Sequence, residues 1–144
     1  MKVYLDNCCF NRPFDDQSAL IVRLETEAVL LIQQLIRDGK LKLVWSFMID
    51  YENAANPFIE KRSRVNAWRS MADENIQHSF HIAKKAAECM YLGFREKDAV
   101  HIACAFDAKA DYFITTDKKI LNKSVDGVEF LNPIEFLRRY DDVK

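Results

Sequence analysis

Glycine is scarce in this chain, and its scarcity excludes the commonest phosphate-binding loops. Only 3 of the 144 residues are Gly, and neither G-x-x-x-x-G-K-[ST] nor G-x-G-x-x-G occurs. Without such a loop the backbone cannot form the amide cradle that P-loop and Rossmann proteins use to bind phosphate groups. A nucleotide-binding protein of either class is therefore excluded.

Paired cysteines are also missing. The chain has 4 cysteines but no C-x-x-C pair, which excludes a zinc knuckle and a thioredoxin-like redox motif. Cys89 and Cys104 fall inside helical patterns and are expected to be buried as small hydrophobic residues. This cysteine usage fits a reducing compartment.

Long hydrophobic runs and an excess of one charge are absent as well. No apolar stretch approaches the roughly 20 residues of a membrane-spanning helix, and the N-terminus, with a single Lys2 before a short strand, lacks the pattern of a secretory signal. We therefore expect a cytoplasmic protein without a membrane partner. The net charge of −1 argues against strong non-specific binding of duplexes. It does not exclude a nuclease, because a bound metal reverses the local field at an acidic site.

Strand and helix patterns alternate along the chain. This alternation predicts one α/β domain over residues 1–144, with three layers and a central parallel sheet of four or five strands covered on both faces. Predicted strands cover residues 2–6, 41–46, 75–78, 111–115 and 128–131. Predicted helices cover about 17–38, 49–55, 80–92, 95–109 and 132–140, and another starts at Asn56-Pro57. We expect Asp15 or Asp16 to cap the first helix and Gly39 to end it.

The first long helix carries more apolar residues than one core contact needs. One stripe consists of Leu20, Leu24, Ala28, Leu31 and Leu35. A second stripe, at heptad spacing, consists of Val22, Val29 and Ile36. We favour burial of both stripes inside the domain; a homodimer or partner surface is the alternative.

Four acidic residues lie where a parallel α/β fold turns toward one edge: Asp6, Glu52, Asp98 and Asp117. Strand ends and helix starts converge on a crevice at that edge. Carboxylates gathered there repel one another by about 4 kcal/mol per close pair, for an effective dielectric near 20, unless a divalent metal neutralises them. The pattern therefore predicts a Mg²⁺ or Mn²⁺ site, and hard cations of this kind commonly handle phosphates.

Each acid also has an ordinary structural explanation. Asp6 fits an Asx-turn, and Glu52 fits a solvated helix surface. Asp98 in a first helical turn is stabilised by the helix dipole by about 0.3–1 kcal/mol. Asp117 fits the cap of a short helix, with Thr116 as a competing cap.

Residues near the acids are candidates for contact with the substrate. Asn7 follows Asp6 directly, and Lys118 and Lys119 follow Asp117, so both lysines are placed for phosphate contact. Together with Thr116 they complete the predicted substrate-binding set. The three histidines, in contrast, are expected to be structural or surface residues. They are His78, His81 and His101.

Four ordered segments make the sequence similar to a PIN domain, the nuclease fold that includes the VapC-type toxins of bacterial toxin–antitoxin pairs. These segments are Val3-Tyr4-Leu5-Asp6-Asn7, Ser46 through Glu52, Asp98-Ala99-Val100-His101-Ile102-Ala103 and Phe113-Ile114-Thr115-Thr116-Asp117. The resemblance covers essentially the whole chain. It implies a parallel sheet in the order 3-2-1-4-5, with Asp6, Glu52, Asp98 and Asp117 as the metal-binding acids. Asn7 stands where Thr or Ser is common, and residues 10–16 form an unusual first loop.

The hypothesis that follows is a metal-dependent endoribonuclease acting on single-stranded or loop RNA. Asp6, Asp98 and Asp117 would hold one or two Mg²⁺ or Mn²⁺ ions, and Glu52 would complete the shell or position the attacking water. Such hydrolysis leaves a 5′-phosphate. The resemblance also implies a toxin restrained by a small protein antitoxin that covers or enters the acidic pocket. The alternatives are a PIN-like module that binds RNA or protein without cleaving it, and a nuclease of general RNA processing.

Overall fold

The computed structural model describes residues 1–143 and contains a five-stranded sheet whose neighbouring strands are all parallel. The strand order is β3-β2-β1-β4-β5, which confirms the predicted sheet and its order. The strands are β1 (Lys2–Leu5), β2 (Lys42–Ser46), β3 (Glu74–Ile76), β4 (Tyr112–Ile114) and β5 (Phe130–Leu131).

Helices flank this sheet and give the three predicted layers. They are α1 (Asn7–Asn11), α2 (Leu20–Arg37), α3 (Phe47–Ala54), α4 (Ile59–Ala67), α5 (Phe80–Tyr91), α6 (Glu96–Asp107), α7 (Lys118–Leu121) and α8 (Pro133–Val143). Helix α2 packs against α8, and α5 packs against α6. Within the described chain no helix has both the length and the apolar character needed to cross a membrane.

Strand β1 lies at the centre of the sheet and of the hydrophobic core. Its last three residues are fully buried, as expected for a parallel strand covered on both faces. Tyr4 pairs with Val44 on one side and with Phe113 on the other. Because the strands are parallel, their carboxyl ends meet at one edge. Asp6 and Thr115, which follow β1 and β4, are both located there.

The start of α2 differs from the prediction. The helix begins three residues later than expected, and neither Asp15 nor Asp16 caps it: Ala19 is the N-cap residue and makes no side-chain cap. Asp16 instead accepts a hydrogen bond from the backbone N–H of Ser18 at 2.9 Å, so its oxygen is used within the preceding turn. The predicted end is confirmed, since Gly39 has a φ of 74° just after the helix, a conformation that favours glycine.

Residues 10–16, expected to form a loop, are largely helical. Helix α1 occupies Asn7–Asn11 and a 3-10 turn follows at Arg12–Phe14. Phe10 is buried against the ring of Trp45, with ring centroids 5.3 Å apart. The segment therefore contributes to the core instead of standing away from it.

An ion pair between the partly buried Arg12 and the buried Glu25 connects this segment to α2. Nη2 of Arg12 lies 3.0 Å from Oε1 of Glu25, and Nδ2 of Asn132 donates to Oε2 of Glu25 at 2.7 Å. Both carboxylate oxygens of this buried acid are thus satisfied. The network joins the chain after β1 to α2 and to the residue that precedes α8.

The second apolar stripe of α2 is buried at Val29 and Ile36, but the first is largely exposed, so the favoured burial of both stripes is wrong for the first. The helix packs inward through Ala28, Val29, Ile32 and Ile36. Its outer face leaves large side chains exposed: Leu20 (67%), Ile21 (55%), Leu24 (46%) and Leu31 (57%). A stripe of this kind is a candidate surface for a protein partner.

Candidate metal centre

Asp6 is a buried carboxylate at the carboxyl end of β1. It is the N-cap residue of α1, and its Oδ1 accepts the backbone N–H of Asn7 at 2.8 Å. Its Oδ2 accepts the hydroxyl of Thr115 at 2.8 Å. Both of these donors are neutral, and burying a charged carboxylate is costly even when it is hydrogen-bonded.

Glu52 reaches the same point from α3. Ser46 begins this helix, because its Oγ accepts the backbone N–H of Ile49 at 3.3 Å. Glu52 follows in the second turn and is half-buried, with Oε1 hydrogen-bonded to Nε2 of His101. Ligand atoms of Asp6, Glu52 and His101 all lie within 4.8 Å of one another.

Asp98 and Asp117 form a second pair, connected by an arginine. Nε of Arg95 lies 3.4 Å from Oδ2 of Asp98, and its Nη2 lies 3.6 Å from Oδ2 of Asp117. Asp117 is also the N-cap residue of α7, where its Oδ1 accepts the N–H of Lys119 at 2.9 Å. Asp117 therefore caps α7, as its structural explanation predicted, and its Oδ2 faces Arg95.

Thr115 connects the two pairs of acids. Its hydroxyl donates to Asp6 and accepts the backbone N–H of Asp117 at 3.1 Å. The four predicted acids are thus brought to one edge of the sheet from β1, α3, α6 and the start of α7. Their common location is a property of the fold; their role in metal binding remains a prediction.

The pKa shifts show how negative this edge is. Burial raises the pKa of the Asp98 carboxyl, and the charges of Asp6 and Asp117 raise it further, against the opposing effect of Arg95. For Glu52, burial acts to raise the pKa, but the hydrogen bond and charge of His101 outweigh it and lower the pKa. The positive groups at this edge therefore compensate the acids unevenly.

Because the pKa of Asp98 is raised, the contribution of this carboxyl to the stability of the metal-free protein should become more unfavourable as the pH rises. Below the ordinary value of 3.8 the carboxyl is protonated in the folded and unfolded chains and the penalty is absent; above the raised pKa the penalty is complete. In EDTA at pH 7, Asp98→Asn is therefore expected to raise the melting temperature, and the difference should disappear near pH 4. Thermal melts of both proteins across this range test it; a difference that is independent of pH contradicts it.

His101 is the residue of this site that sequence reasoning missed. Its side chain is only 1% exposed, and its Nε2 lies 4.0 Å from Oδ1 of Asp6 in addition to contacting Glu52. Burial acts to lower the pKa of the imidazole, but the hydrogen bond to Glu52 and the charge of Asp6 outweigh it and raise the pKa. One signal was available, since a residue three positions after Asp98 lies on the same face of the helix.

The other two histidines lie apart from the acids. The ring of His78 is in edge contact with Phe47, and that of His81 with Phe80. Both side chains are largely exposed, which agrees with a surface role.

The predicted substrate-binding residues lie close in sequence to Asp6 or Asp117, and their side chains differ in exposure to solvent. Asn7 is half-buried and its Oδ1 has no hydrogen-bond partner among residues 1–143. Thr116 donates its backbone N–H to Sγ of Cys8 at 3.4 Å. Lys118 and Lys119 are exposed at the start of α7. Contact of these residues with a substrate remains a prediction.

Two surface depressions are lined by residues of the helices that carry Glu52 and Asp98. One, of about 390 Å³, is lined by Asp98 together with Arg95, Lys119 and Lys123. The other, of about 350 Å³, is lined by residues of α3, α5 and α6 and is mostly apolar; its lining includes Phe47, Tyr51, His78, Lys97 and Val100. The first depression is therefore basic beside Asp98, and the second is largely apolar with aromatic rings in its lining.

No family model matches this chain, and no curated protein matches its sequence. Among solved structures, one chain of the crystal structure of VapBC2 from Rickettsia felis, bound to a DNA fragment from their promoter, superposes with a TM-score of 0.62. The match covers 92% of this chain and 98% of that chain, at 12% sequence identity. The fold is PIN-like. At this identity the likeness concerns the fold alone.

Proposed function

We propose that this protein is a metal-dependent endoribonuclease that hydrolyses phosphodiester bonds in single-stranded or loop RNA. The observation that supports it best is the short distance between Asp6 and Glu52, whose carboxylate oxygens lie within 4.8 Å of each other. Asp98 and Asp117, which both contact Arg95, lie at the same edge of the sheet. Oxygen donors in this number suit hard cations such as Mg²⁺ and Mn²⁺. One or two ions fit four carboxylates.

The four acids would divide the work of such a site. Asp6, Asp98 and Asp117 would hold the metal, and Glu52 would complete its shell or position the attacking water. A divalent ion bound there supplies an activated water and stabilises the charge that develops on the phosphate. Asp6 is well suited to a fixed position, because Asn7 and Thr115 already hold both of its oxygens.

The depression beside Asp98 and the apolar one between α3 and α6 offer the groups that bind a single RNA strand. Lys119, with Lys123 and Arg95, offers positive charge for phosphates, while Phe47 and Tyr51 offer aromatic faces for bases. This combination is the usual basis of single-strand binding without sequence readout. Asn7, Thr116, Lys118 and Lys119 are proposed to make the polar contacts closest to the cleaved bond.

Incubation of the purified protein with end-labelled single-stranded RNA tests this function. We expect cleavage in Mn²⁺ or Mg²⁺, loss of cleavage in EDTA and recovery when the metal is restored. The products should carry a 5′-phosphate, which a 5′-phosphate-dependent exonuclease or mass spectrometry detects. Cleavage that persists in EDTA, or products ending in a 2′,3′-cyclic phosphate, would exclude the proposed mechanism.

One observation favours a module that binds RNA or protein without cleaving it. Arg95 already supplies a positive charge between Asp98 and Asp117, and a permanent ion pair there would replace a metal. Retained RNA binding without cleavage in any divalent metal would identify this alternative. A small open reading frame beside the gene would favour a toxin over a nuclease of general RNA processing.

We further propose that the protein is a cytoplasmic, single-domain toxin restrained by a small protein antitoxin. The fold likeness to a chain of the VapBC2 complex and the PIN-type motifs support this role. The antitoxin would act by covering or entering the acidic pocket.

The exposed face of α2 is proposed to bind a second copy of the chain. Leu24 and Leu31 are about half exposed, so burying them would remove about 0.7–1.5 kcal/mol of unfavourable hydration per side chain. We expect a dimer at micromolar concentration, converted to monomer by the double change Leu24→Glu and Leu31→Glu. Sedimentation velocity measures this, with Leu92→Glu, an equally exposed leucine at the end of α5, as the matched control. A wild-type protein that is only monomeric contradicts the proposal.

A further inference from the structure

A buried chain of hydrogen bonds runs from the start of α3 to Glu52. Oγ of Ser46 lies 2.7 Å from Oη of Tyr4, and the same Oη lies 2.6 Å from Nδ1 of His101. The other ring nitrogen of His101 donates to Oε1 of Glu52. Ser46, Tyr4 and His101 are all fully buried, so Glu52 is the member of this chain that reaches the acidic edge.

The chain joins the elements that carry three of the four acids. Tyr4 lies two residues before Asp6 on β1, so both side chains leave the strand on the same side. His101 lies one helical turn after Asp98 on α6. Ser46 begins α3, the helix that carries Glu52. The relative positions of β1, α3 and α6 are therefore coupled through one hydrogen-bonded path.

His101 cannot act on a substrate directly. Its side chain is almost without contact with solvent, and both ring nitrogens already have partners inside the protein. A buried imidazole in this situation can neither reach an RNA phosphate nor exchange protons with water at the site. Any influence on the reaction must pass through Glu52 or Asp6.

We propose that His101 is a positioning residue that holds the Glu52 carboxylate beside Asp6, with Tyr4 fixing the orientation of the imidazole ring. Engagement of Oε1 by His101 leaves the second oxygen of Glu52 for the metal. Residues that hydrogen-bond to metal ligands in this way set the orientation of the ligand. The inference rests on the proposed function only in taking Glu52 as a metal ligand.

Tyr4 is itself fixed by the core. Its ring stacks on that of Phe113 with centroids 5.3 Å apart and an interplanar angle of 9°, and it meets the ring of His101 edge-on. The hydroxyl is therefore held next to Nδ1 without sampling other rotamers of the tyrosine side chain. Loss of this hydroxyl should loosen the imidazole while leaving the packing of the rings in place.

Calorimetric titration of Mn²⁺ into the RNA-free protein tests the inference. His101→Leu should weaken Mn²⁺ binding by about 10–100-fold, the usual effect of removing such a partner. His101→Gln, which keeps an N–H donor, should recover most of the affinity, and Tyr4→Phe should give a smaller loss in the same direction. In a Glu52→Gln background, His101→Leu should cause no further loss. Substitution of the exposed His81 by Gln is the control and should leave binding unchanged.

Cleavage kinetics provide a second measurement. Because His101 does not touch RNA, its variants should lower kcat while leaving KM for RNA unchanged. Three results would overturn the inference: Mn²⁺ affinity in His101→Leu equal to that of the wild type, a Gln variant no better than Leu, or the same loss in the Glu52→Gln background. If the His101→Leu protein does not fold, the Mn²⁺ affinities of the Tyr4→Phe and His101→Gln proteins test the inference.

The failure of this inference and that of the proposed function are distinguishable. A wild-type protein that binds Mn²⁺ in a His101-dependent manner but cleaves no RNA supports the positioning role and refutes the nuclease. RNA cleavage by a protein whose Mn²⁺ affinity does not depend on His101 supports the nuclease and refutes the positioning role. Absence of Mn²⁺ binding in the wild type overturns both.

Discussion

Asp6→Asn is expected to lower metal-dependent RNA hydrolysis by on the order of 10³-fold or more, because partners of metal ligands already cost 10–100-fold when removed and a ligand itself should cost more. The change keeps the shape of the side chain and one carbonyl oxygen, so the N–H of Asn7 retains its acceptor. It removes the negative charge where Asp6 approaches Glu52. The fold should therefore persist while metal binding is lost.

Two measurements separate this outcome from a damaged fold. The melting temperature in EDTA should be close to that of the wild type, whereas the stabilisation by Mn²⁺, about 2.7 kcal/mol at 100 times the Kd, should disappear. Asp111→Asn is the matched control: Asp111 precedes β4 at the opposite edge of the sheet and accepts the backbone N–H of Lys2 at 2.7 Å. It should leave cleavage unchanged. Full activity in Asp6→Asn would indicate a contaminating nuclease or a different site.

The architecture could be predicted because the central strands need continuous apolar residues. Val3-Tyr4-Leu5 and the run 43–45 are buried on both faces, and helical patterns separate the strands. The strand order came from the resemblance to a known fold, since periodicity alone does not order a sheet. The end strands were less well delimited: β5 has two residues, Phe130–Leu131, where four were expected.

The location of an acid was predictable where the acid directly follows a strand. Asp6 comes straight after β1, and Asp117 comes soon after β4, so their location depends on the sheet alone. The contact between Glu52 and His101 spans 49 residues and depends on how α3 packs against α6. Local patterns do not record such packing. Arg95 is an intermediate case, because its spacing from Asp98 is local whereas its contact with Asp117 is tertiary.

The outer face of α2 shows a different limit of sequence reasoning. An apolar stripe has the same spacing whether a neighbouring helix or another protein covers it. The sequence therefore predicts that Leu24 and Leu31 are buried, but it does not show whether the same chain or another protein buries them. Both side chains are exposed in the structure, so only a second protein chain could bury them.

Arg12→Met is expected to lower the free energy of unfolding by about 3–5 kcal/mol, the usual cost of breaking a buried ion pair from one side. Glu25 would keep the hydrogen bond from Asn132 but lose its cation while remaining buried. Urea unfolding followed by circular dichroism measures the change as a lower midpoint at a similar slope. The effect should be on stability, because Arg12 is not among the acids or the residues proposed to contact RNA.

Burial is the reason for the size of this effect, and a surface pair provides the comparison. Arg138 lies 3.5 Å from Glu135 with both side chains largely exposed, so Arg138→Met should cost less than about 1 kcal/mol. The double change Arg12→Met and Glu25→Met should recover much of the loss, because it removes the unpaired buried charge together with its partner. Equal costs for Arg12→Met and Arg138→Met would mean that water reaches Glu25 in solution and that the segment after β1 is not held by this pair.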